Sequence, residues 1–514
     1  MKHKWPYILT GALILLFVGS MLWINFHSAL WYDMDMALNS LEAKVFWESK
    51  TLFPEGWLFG NQYQIVDSVN VAALFYGLCH RSTLSMSLAA STGMFLILGS
   101  FIACFKHQMS REGLVTGLLC LSGGTIFGYS AASYTKGLQV LYTMGAYYAW
   151  YLIIMLLTLG AWLRIRDGKK VHWLIWTGLL ALNFGIGMNS LREALVLGCP
   201  LVALSFAEAL KDKKSGRYLL FSGLVLASEA AGYLLMQALK VPSSTNINQL
   251  YLSFYPVYVF YNGLHSTKNL LRLSGIGLFR DGLCYLPLSL CALVVAAGVV
   301  FTLVHIIRKR DETPLARAIL FCAASVLTVY ATGVFVFKTR DIYYFVYWLL
   351  AALSMGYLVQ HFGKRIIVPT VAVAAIGWAY QFPRDFMYWN RHGEEMKAIT
   401  ETLVRKGVTT LYHDDCAMFA AASGDAITAA PVRIVPSEDG DLCIRVFPYN
   451  KYLPLYGNDP YQNSAFCFSN YSGLSVEELD EGLAGKAEQN GHFHWKDKEI
   501  MLFSPLTEAP PWQE

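Results

Sequence analysis

Charge is what this sequence has least of. Of 514 residues only 15% are Asp, Glu, Lys or Arg, where a soluble domain carries about 25%. That shortage argues against an ordinary soluble protein. The basic residues are scattered over many short segments, which argues against a nucleic-acid binder. The ten cysteines contain no C-x-x-C pair. There is no Gly-rich phosphate loop, nucleophile elbow or H-E-x-x-H. Neither His413-Asp-Asp415 nor His492-Phe-His494 has a metal-ligand spacing. Seven cysteines lie in or beside apolar runs and read as small hydrophobes. Cys416, Cys443 and Cys467 fall in polar sequence, with no spacing that selects a pair.

What the chain has instead is apolar sequence, 55% of its residues. It is unevenly placed. Residues 1–383 alternate long apolar runs with short charged loops, and 384–514 read as soluble protein. The tail carries 11 basic and 20 acidic residues, so the remainder has a net charge of +13 against −9 for the tail. A basic membrane part and an acidic soluble part are expected, with anionic head groups or phosphates as partners of the first.

A helix needs roughly 20 apolar residues to cross the hydrocarbon core. Eleven segments are candidate spans: 7–26, 84–105, 113–132, 139–163, 171–188, 194–210, 218–236, 283–307, 318–337, 342–361 and 366–382. The first is too long for a signal-peptide core, and no small-residue cleavage site follows it. A further apolar segment, 66–80, is shorter and includes Asp67, Ser68 and Asn70. If it lies along the outer surface, the inner segments hold 18 Lys+Arg in 41 residues, against 11 in 116 for the outer loops. That asymmetry is what the positive-inside rule requires. The expectation is a polytopic α-helical protein of the cell membrane with about eleven transmembrane helices. Its N-terminus is cytoplasmic, and a C-terminal extracytoplasmic α/β domain follows. Two outer loops, 27–83 and 237–280, are long. The second contains an aromatic run from Leu250 to Tyr261, suited either to the membrane–water interface or to lining a substrate.

The first outer loop carries Asp33 and Asp35 soon after the first span. In a helix, Asp35, Asn39 and Glu42 would share one face. A carboxylate at the mouth of a membrane cavity can serve as a general base; ordinary solvated acids are the plainer alternative. Arg192, Lys338, Arg340, Lys136 and Arg272 lie at the same expected depth. Arginine suits phosphate through its planar fork of donors. Snorkelling toward head groups, or local pairing with Glu193 and Asp341, is the competing reading.

The chain resembles the GT-C class of membrane glycosyltransferases, which includes protein O-mannosyltransferases and the aminoarabinose transferases acting on lipid A. The residues carrying the likeness are Asp35-Met-Ala37, Ala43-Lys44, Phe53-Pro54 to Trp57, Val71 to Tyr76, Arg192 with Pro200, and Arg340-Asp-Ile-Tyr-Tyr344. The resemblance implies a polyprenyl-phosphate sugar as donor and an extracytoplasmic acceptor. It also implies an inverting displacement with Asp35, or else Asp33, as base. Arg192, Arg340, Lys338 and Lys136 would hold the donor phosphate, and Glu42, Asn39 and Arg272 would line the substrate. Many members carry a second acid between spans three and four, but Ser130 to Lys136 has none. That weakens a metal held between two loops, so a divalent metal stays an open alternative that no second-loop acid supports, and no other cofactor is called for. The rival classes are a transporter or flippase of lipid-linked saccharide and a surface polysaccharide polymerase or ligase. In the tail, 394–406 has helical spacing with Gly407 as its stop. Segments 408–412, 432–435, 442–447 and 499–503 read as strands.

Overall fold

The computed structural model describes residues 5–27, 34–59, 63–123, 139–143, 148–210, 216–241, 254–275, 286–336, 340–412 and 416–430. Beyond these it describes the strand segments of the tail. The helices are α1 (Trp5–His27), α2 (Met34–Ser49), α3 (Ser68–Cys79), α4 (Ser82–Phe105), α5 (Arg111–Ser122), α6 (Gln139–Tyr142), α7 (Ala149–Arg166) and α8 (Trp173–Asn189). After a π-helical turn (Ala194–Gly198) come α9 (Cys199–Ala209), α10 (Gly216–Leu239), α11 (Pro256–Leu273), α12 (Leu286–Lys309) and α13 (Pro314–Phe335). A 3-10 turn (Asp341–Tyr344) leads into α14 (Val346–Phe362), then α15 (Lys364–Arg405) and α16 (Cys416–Ala422).

Seven helices among the described residues are long and apolar enough to cross a membrane: α1, α4, α7, α10, α12, α13 and the stretch Asp341–Phe362. The segment 66–80 forms α3, whose 12 residues span only about 18 Å at 1.5 Å each. Asp67 caps its N-terminus, accepting from the Val69 amide at 3.3 Å. His80 ends it in the left-handed region, at φ 50°. The expected single span 139–163 is not one helix. α6 stops at Tyr142 and α7 starts at Ala149, which brings Tyr148 to a helix end.

Helix contacts rest on small residues. A methyl added at Gly187 or Gly232 would collide with α10 or α8 backbone respectively, so the two helices meet at backbone distance. Gly113 and Gly356 do the same for α5 and α14. Hydrogen bonds add specificity: Asn183 Nδ2 donates to Thr158 at 3.1 Å, and Trp162 Nε1 donates to Ser205 at 2.8 Å. Ser325 Oγ donates to the Val196 carbonyl in the π-helical turn at 2.6 Å.

At one end of the bundle, Glu208 accepts from Arg166 Nε at 2.8 Å and lies 2.9 Å from Arg317 Nε. Arg317 also reaches Glu312 at 3.2 Å. Residues from two expected inner segments and the end of the span 194–210 thus meet in one ion cluster that ties α7, α9 and α13.

α15 has 42 residues, about 63 Å at 1.5 Å each and roughly twice the hydrocarbon thickness. The domain boundary expected at 383/384 falls within this helix. Its C-terminus closes where expected: Gly407 has φ 79°, and the Val408 amide donates back to Leu403 at 3.1 Å. The strands are β1 (Trp57–Leu58), β2 (Thr410–Tyr412), β3 (Thr428–Ala430), β4 (Val432–Pro436), β5 (Leu442–Val446), β6 (Lys451–Tyr452), β7 (Ser464–Ser469), β8 (Gln489–Trp495), β9 (Lys498–Phe503) and β10 (Trp512–Gln513). Five of them form a mixed sheet in the order β3-β2-β7-β9-β8, and three form β10-β5-β4.

The tail is attached to the first loop. β6 pairs with β1. Met396, Ile399, Leu403, Leu411 and Phe419 share a core with Ala37 and Leu38 of α2. Ser82 Oγ donates to Asp425 at 2.6 Å.

Glu208→Ala should leave a buried guanidinium, Arg317, and a half-buried one, Arg166, without their shared anion. Breaking such a pair costs about 3–5 kcal/mol. A clear drop in the thermal midpoint in lipid nanodiscs is expected; an unchanged midpoint would show that the cluster carries no stability.

Candidate active site

The opposite end of the bundle is organised by Asn189, the last residue of α8. Its Oδ1 accepts from the Ile65 and Val66 amides at 2.7 and 3.2 Å, and its Nδ2 donates to the Val66 carbonyl at 2.9 Å. Its own carbonyl accepts from the Tyr63 amide at 3.2 Å. One side chain therefore imitates a strand partner for the first loop and fixes the approach to Asp67. Asn70 braces the same turn from within, donating to Gln64 and Ile65 carbonyls at 2.7 and 2.5 Å.

Three residues beyond Asn189, half-buried Arg192 lies among aromatic rings. Its Cζ is 4.8 Å from the Tyr343 ring centroid, 5.1 Å from Tyr148 and 5.9 Å from Tyr151. Each ring presents a negative face to the cation. Burial works against the Arg192 charge, but the three tyrosines outweigh it and hold its pKa above the ordinary arginine value. Tyr151 meets the Ser190 hydroxyl at 3.1 Å, and the Arg192 amide donates to that hydroxyl at 3.3 Å.

Two more expected cations converge here. Arg340 is exposed and stands at the N-terminus of the 3-10 turn holding Tyr343. Arg272, at the end of α11, pairs with Asp341 of the same turn at 3.9 Å. Asp341 is thus engaged by a residue far away in sequence. Arg192, Arg272 and Arg340 surround one turn of chain, while Lys136 and Lys338 lie outside the described residues.

The acids divide differently. Asp33 lies outside the described residues. Asp35 is the second residue of α2, and its side chain also lies outside them. Asn39 and Glu42 sit on α2 as expected and are only 2% and 1% exposed. Burial raises the Glu42 pKa well above the usual carboxylate range; Asp67 raises it further, and the Trp57 indole opposes. Asp67, 2% exposed, is raised to about 7, chiefly by burial, against backbone amides and Arg192 that favour its charge. Arg192 favours the Asp67 charge less than the backbone amides do.

Sequence reading missed Asp67 as a site residue, along with Asn189 and the tyrosines. The signals were an Asp-Ser cap before an apolar helix, the i, i+3 pair Tyr148 and Tyr151, and the Tyr-Tyr step after Arg340. Behind Arg192, Glu193 and Glu229 are buried, and their carboxyl oxygens have no hydrogen-bond partner among the described residues. No group of three His, Cys, Asp or Glu suited to a metal ion occurs among the described residues.

No protein-family model matches the chain, and no curated protein does. Solved structures do. ArnT from Cupriavidus metallidurans in the apo state superposes with TM-score 0.57 at 11% identity, over 95% of this chain and 97% of that one. The form bound to undecaprenyl phosphate gives 0.58 at 10%, over 99% and 100%. At such identity the likeness is one of fold: this chain has the GT-C fold.

Asn189→Ala should remove three hydrogen bonds from the first loop and strand half-buried backbone groups, at up to about 1–3 kcal/mol per unsatisfied group. Faster hydrogen exchange at Ile65 and Val66 is expected, with no change in the inner halves of α7 and α13. Equal exchange in both proteins would show that the loop is held by something else.

Proposed function

We propose that this chain is a membrane glycosyltransferase that moves a sugar from a polyprenyl phosphate to an acceptor on the outer face of the membrane. The observation that carries the reading is the convergence of Arg192, Arg340 and Arg272 at one end of the bundle. The first outer loop is fastened to the same end by Asn189. The full-length likeness in fold to a protein solved with undecaprenyl phosphate supports it.

In the proposed reaction the acceptor oxygen attacks the anomeric carbon. The bond from that carbon to the phosphate oxygen breaks, and the polyprenyl phosphate leaves with the electron pair. Arg192 and Arg340 would stabilise the charge that develops on the phosphate, a task for fixed cations in a desolvated site. Lys338 and Lys136 are further candidates for that task. Asp35, or Asp33 beside it, would take the acceptor's proton. Asn39, Glu42 and Arg272 would support the substrate side. One displacement inverts the anomeric configuration.

Eleven spans, an inner N-terminus and an outer C-terminal α/β domain complete the proposal, with 1–383 as the membrane part and 384–514 as the cover. The charge asymmetry of the loops supports that orientation. The tail would close over the loop through β6 and the packing of α16 on α2. Buried Glu229 favours the second reading, a flippase of lipid-linked saccharide, since intramembrane acids mark transport paths.

Labelled polyprenyl-phosphate sugars presented with membrane acceptors separate the two. Wild type should transfer label, and Asp35→Asn should lose at least about a hundredfold, the contribution of a general base. Arg192→Lys should lose about tenfold or more, because an ammonium neither stacks on three rings nor forms paired bonds to phosphate. Equal turnover by wild type and Asp35→Asn removes Asp35 from the role. Label that crosses the bilayer without being transferred favours the flippase.

A further inference from the structure

α11 is built inside out. Asn262, Ser266, Asn269 and Leu273 fall at i, i+4, i+7 and i+11, on one stripe of the helix. That stripe is turned to the protein. Ser266, Asn269 and Leu273 are buried, and Asn262 Nδ2 donates to the Val334 carbonyl of α13 at 3.3 Å. The opposite stripe carries Val257, Phe260, Tyr261 and Leu264, which are 56–68% exposed. A helix on a water-soluble surface has the reverse arrangement, apolar side in and polar side out. Polar residues inward and apolar residues outward call for an apolar medium around the helix.

The exposed stripe is continuous with the lipid-facing side of a span. α13 is one of the helices able to cross a membrane, and its Leu327 is 65% exposed. The Phe254 ring, just before α11, meets the ring of Phe335, the last residue of α13, at 6.0 Å. Thr267 Oγ1 and the Tyr330 hydroxyl share a hydrogen bond at 2.9 Å. α11 therefore lies against the final turns of α13, at the level where a span leaves the hydrocarbon. Exposed Tyr255 and Tyr258 join Phe260 and Tyr261 there, and rings with an apolar body and a polar tip suit that level. α11 contains no acid. Lys268, in line with Leu264 and Leu271, is placed to extend its ammonium to head-group phosphates.

We infer that α11 is an interfacial helix seated in the leaflet at the Arg192 end of the bundle, with phospholipid chains as the partner of its exposed stripe, and that this seat holds the Asp341–Tyr344 turn in place. The link is Arg272, which pairs with Asp341 at 3.9 Å. Arg340 stands at the start of that turn, and its Tyr343 stacks on Arg192 at 4.8 Å. Lipid thus acts on Arg192 through one helix and one turn, and Arg272 is a positioning residue. None of this depends on the transferase reading.

The test uses the full chain in phospholipid nanodiscs. Benzoylphenylalanine placed at Leu264 or Tyr261 should, on irradiation, give an adduct heavier by one phospholipid, as it should at the lipid-facing Leu327 control. A crosslinked dimer would mean that a second copy covers the stripe. A crosslink within the chain would mean that the protein covers it, and no adduct that it stands in water. Each of these overturns the inference.

Hydrogen exchange reads the link. Leu264→Asp sets a charge in lipid, where a seated helix cannot hold it. It should speed exchange of the Ile342, Tyr343 and Tyr344 amides about fivefold or more, the low end of coupling between sites. Leu264→Phe, which keeps the stripe apolar, should leave those amides as in wild type. Arg272→Gln cuts the link without touching the stripe. It should speed the same amides while the lipid adduct at Leu264 persists. Unchanged exchange in Arg272→Gln shows that α11 does not hold the turn. Neither readout uses sugar transfer, so a failed transfer assay leaves both standing.

Discussion

A guanidinium withdrawn from water must be compensated, and at Arg192 the compensation comes from two separate stretches of chain. Tyr148 and Tyr151 come from the start of α7, and Tyr343 from the 3-10 turn before α14. None of these can shift without exposing or stranding the cation. The requirement fixes α7, the Asn189–Arg192 turn and the Arg340–Tyr344 turn relative to one another. Arg340 and Arg272 are carried into the same neighbourhood through that last turn.

The supports lie deeper and are chemically different. α8 and α10 meet through glycines, α5 and α14 do the same, and the Arg166–Glu208–Arg317 cluster locks the far end. In a bilayer, apolar contact between helices gains little over contact with lipid. Close backbone approach and satisfied polar groups therefore do the holding. The helices form a rigid frame, and the chemistry sits on turns between them. The tail adds a second hold on the first loop, through β1 with β6 and α2 with α16.

Much of this was legible in the chain. Apolar runs marked the helices because only an internally bonded helix can cross hydrocarbon. Asp67, Ser68 and Asn70 set 66–80 apart from the spans, and the charges of the loops placed it along the surface. Gly407 marked the end of α15, since its backbone needs a left-handed residue there. Arg192 and Arg340 were picked out by their expected depth together with the family likeness of the segments that carry them. The break between α6 and α7 was not legible, because 139–163 is apolar throughout and hydropathy does not register where hydrogen bonding stops. Nor was the burial of Asn39 and Glu42: helical spacing gives a shared face, but not what that face meets.

By itself the sequence determined that this chain is a helical membrane protein with a charge-marked sidedness, because those properties depend on residues near one another along the chain. Tertiary structure decided which buried charges have partners. Glu208 finds two arginines and Arg272 finds Asp341, from residues up to more than a hundred positions apart. The strength of such a pairing depends on distance and on exclusion of water. Neither is set until the helices are packed.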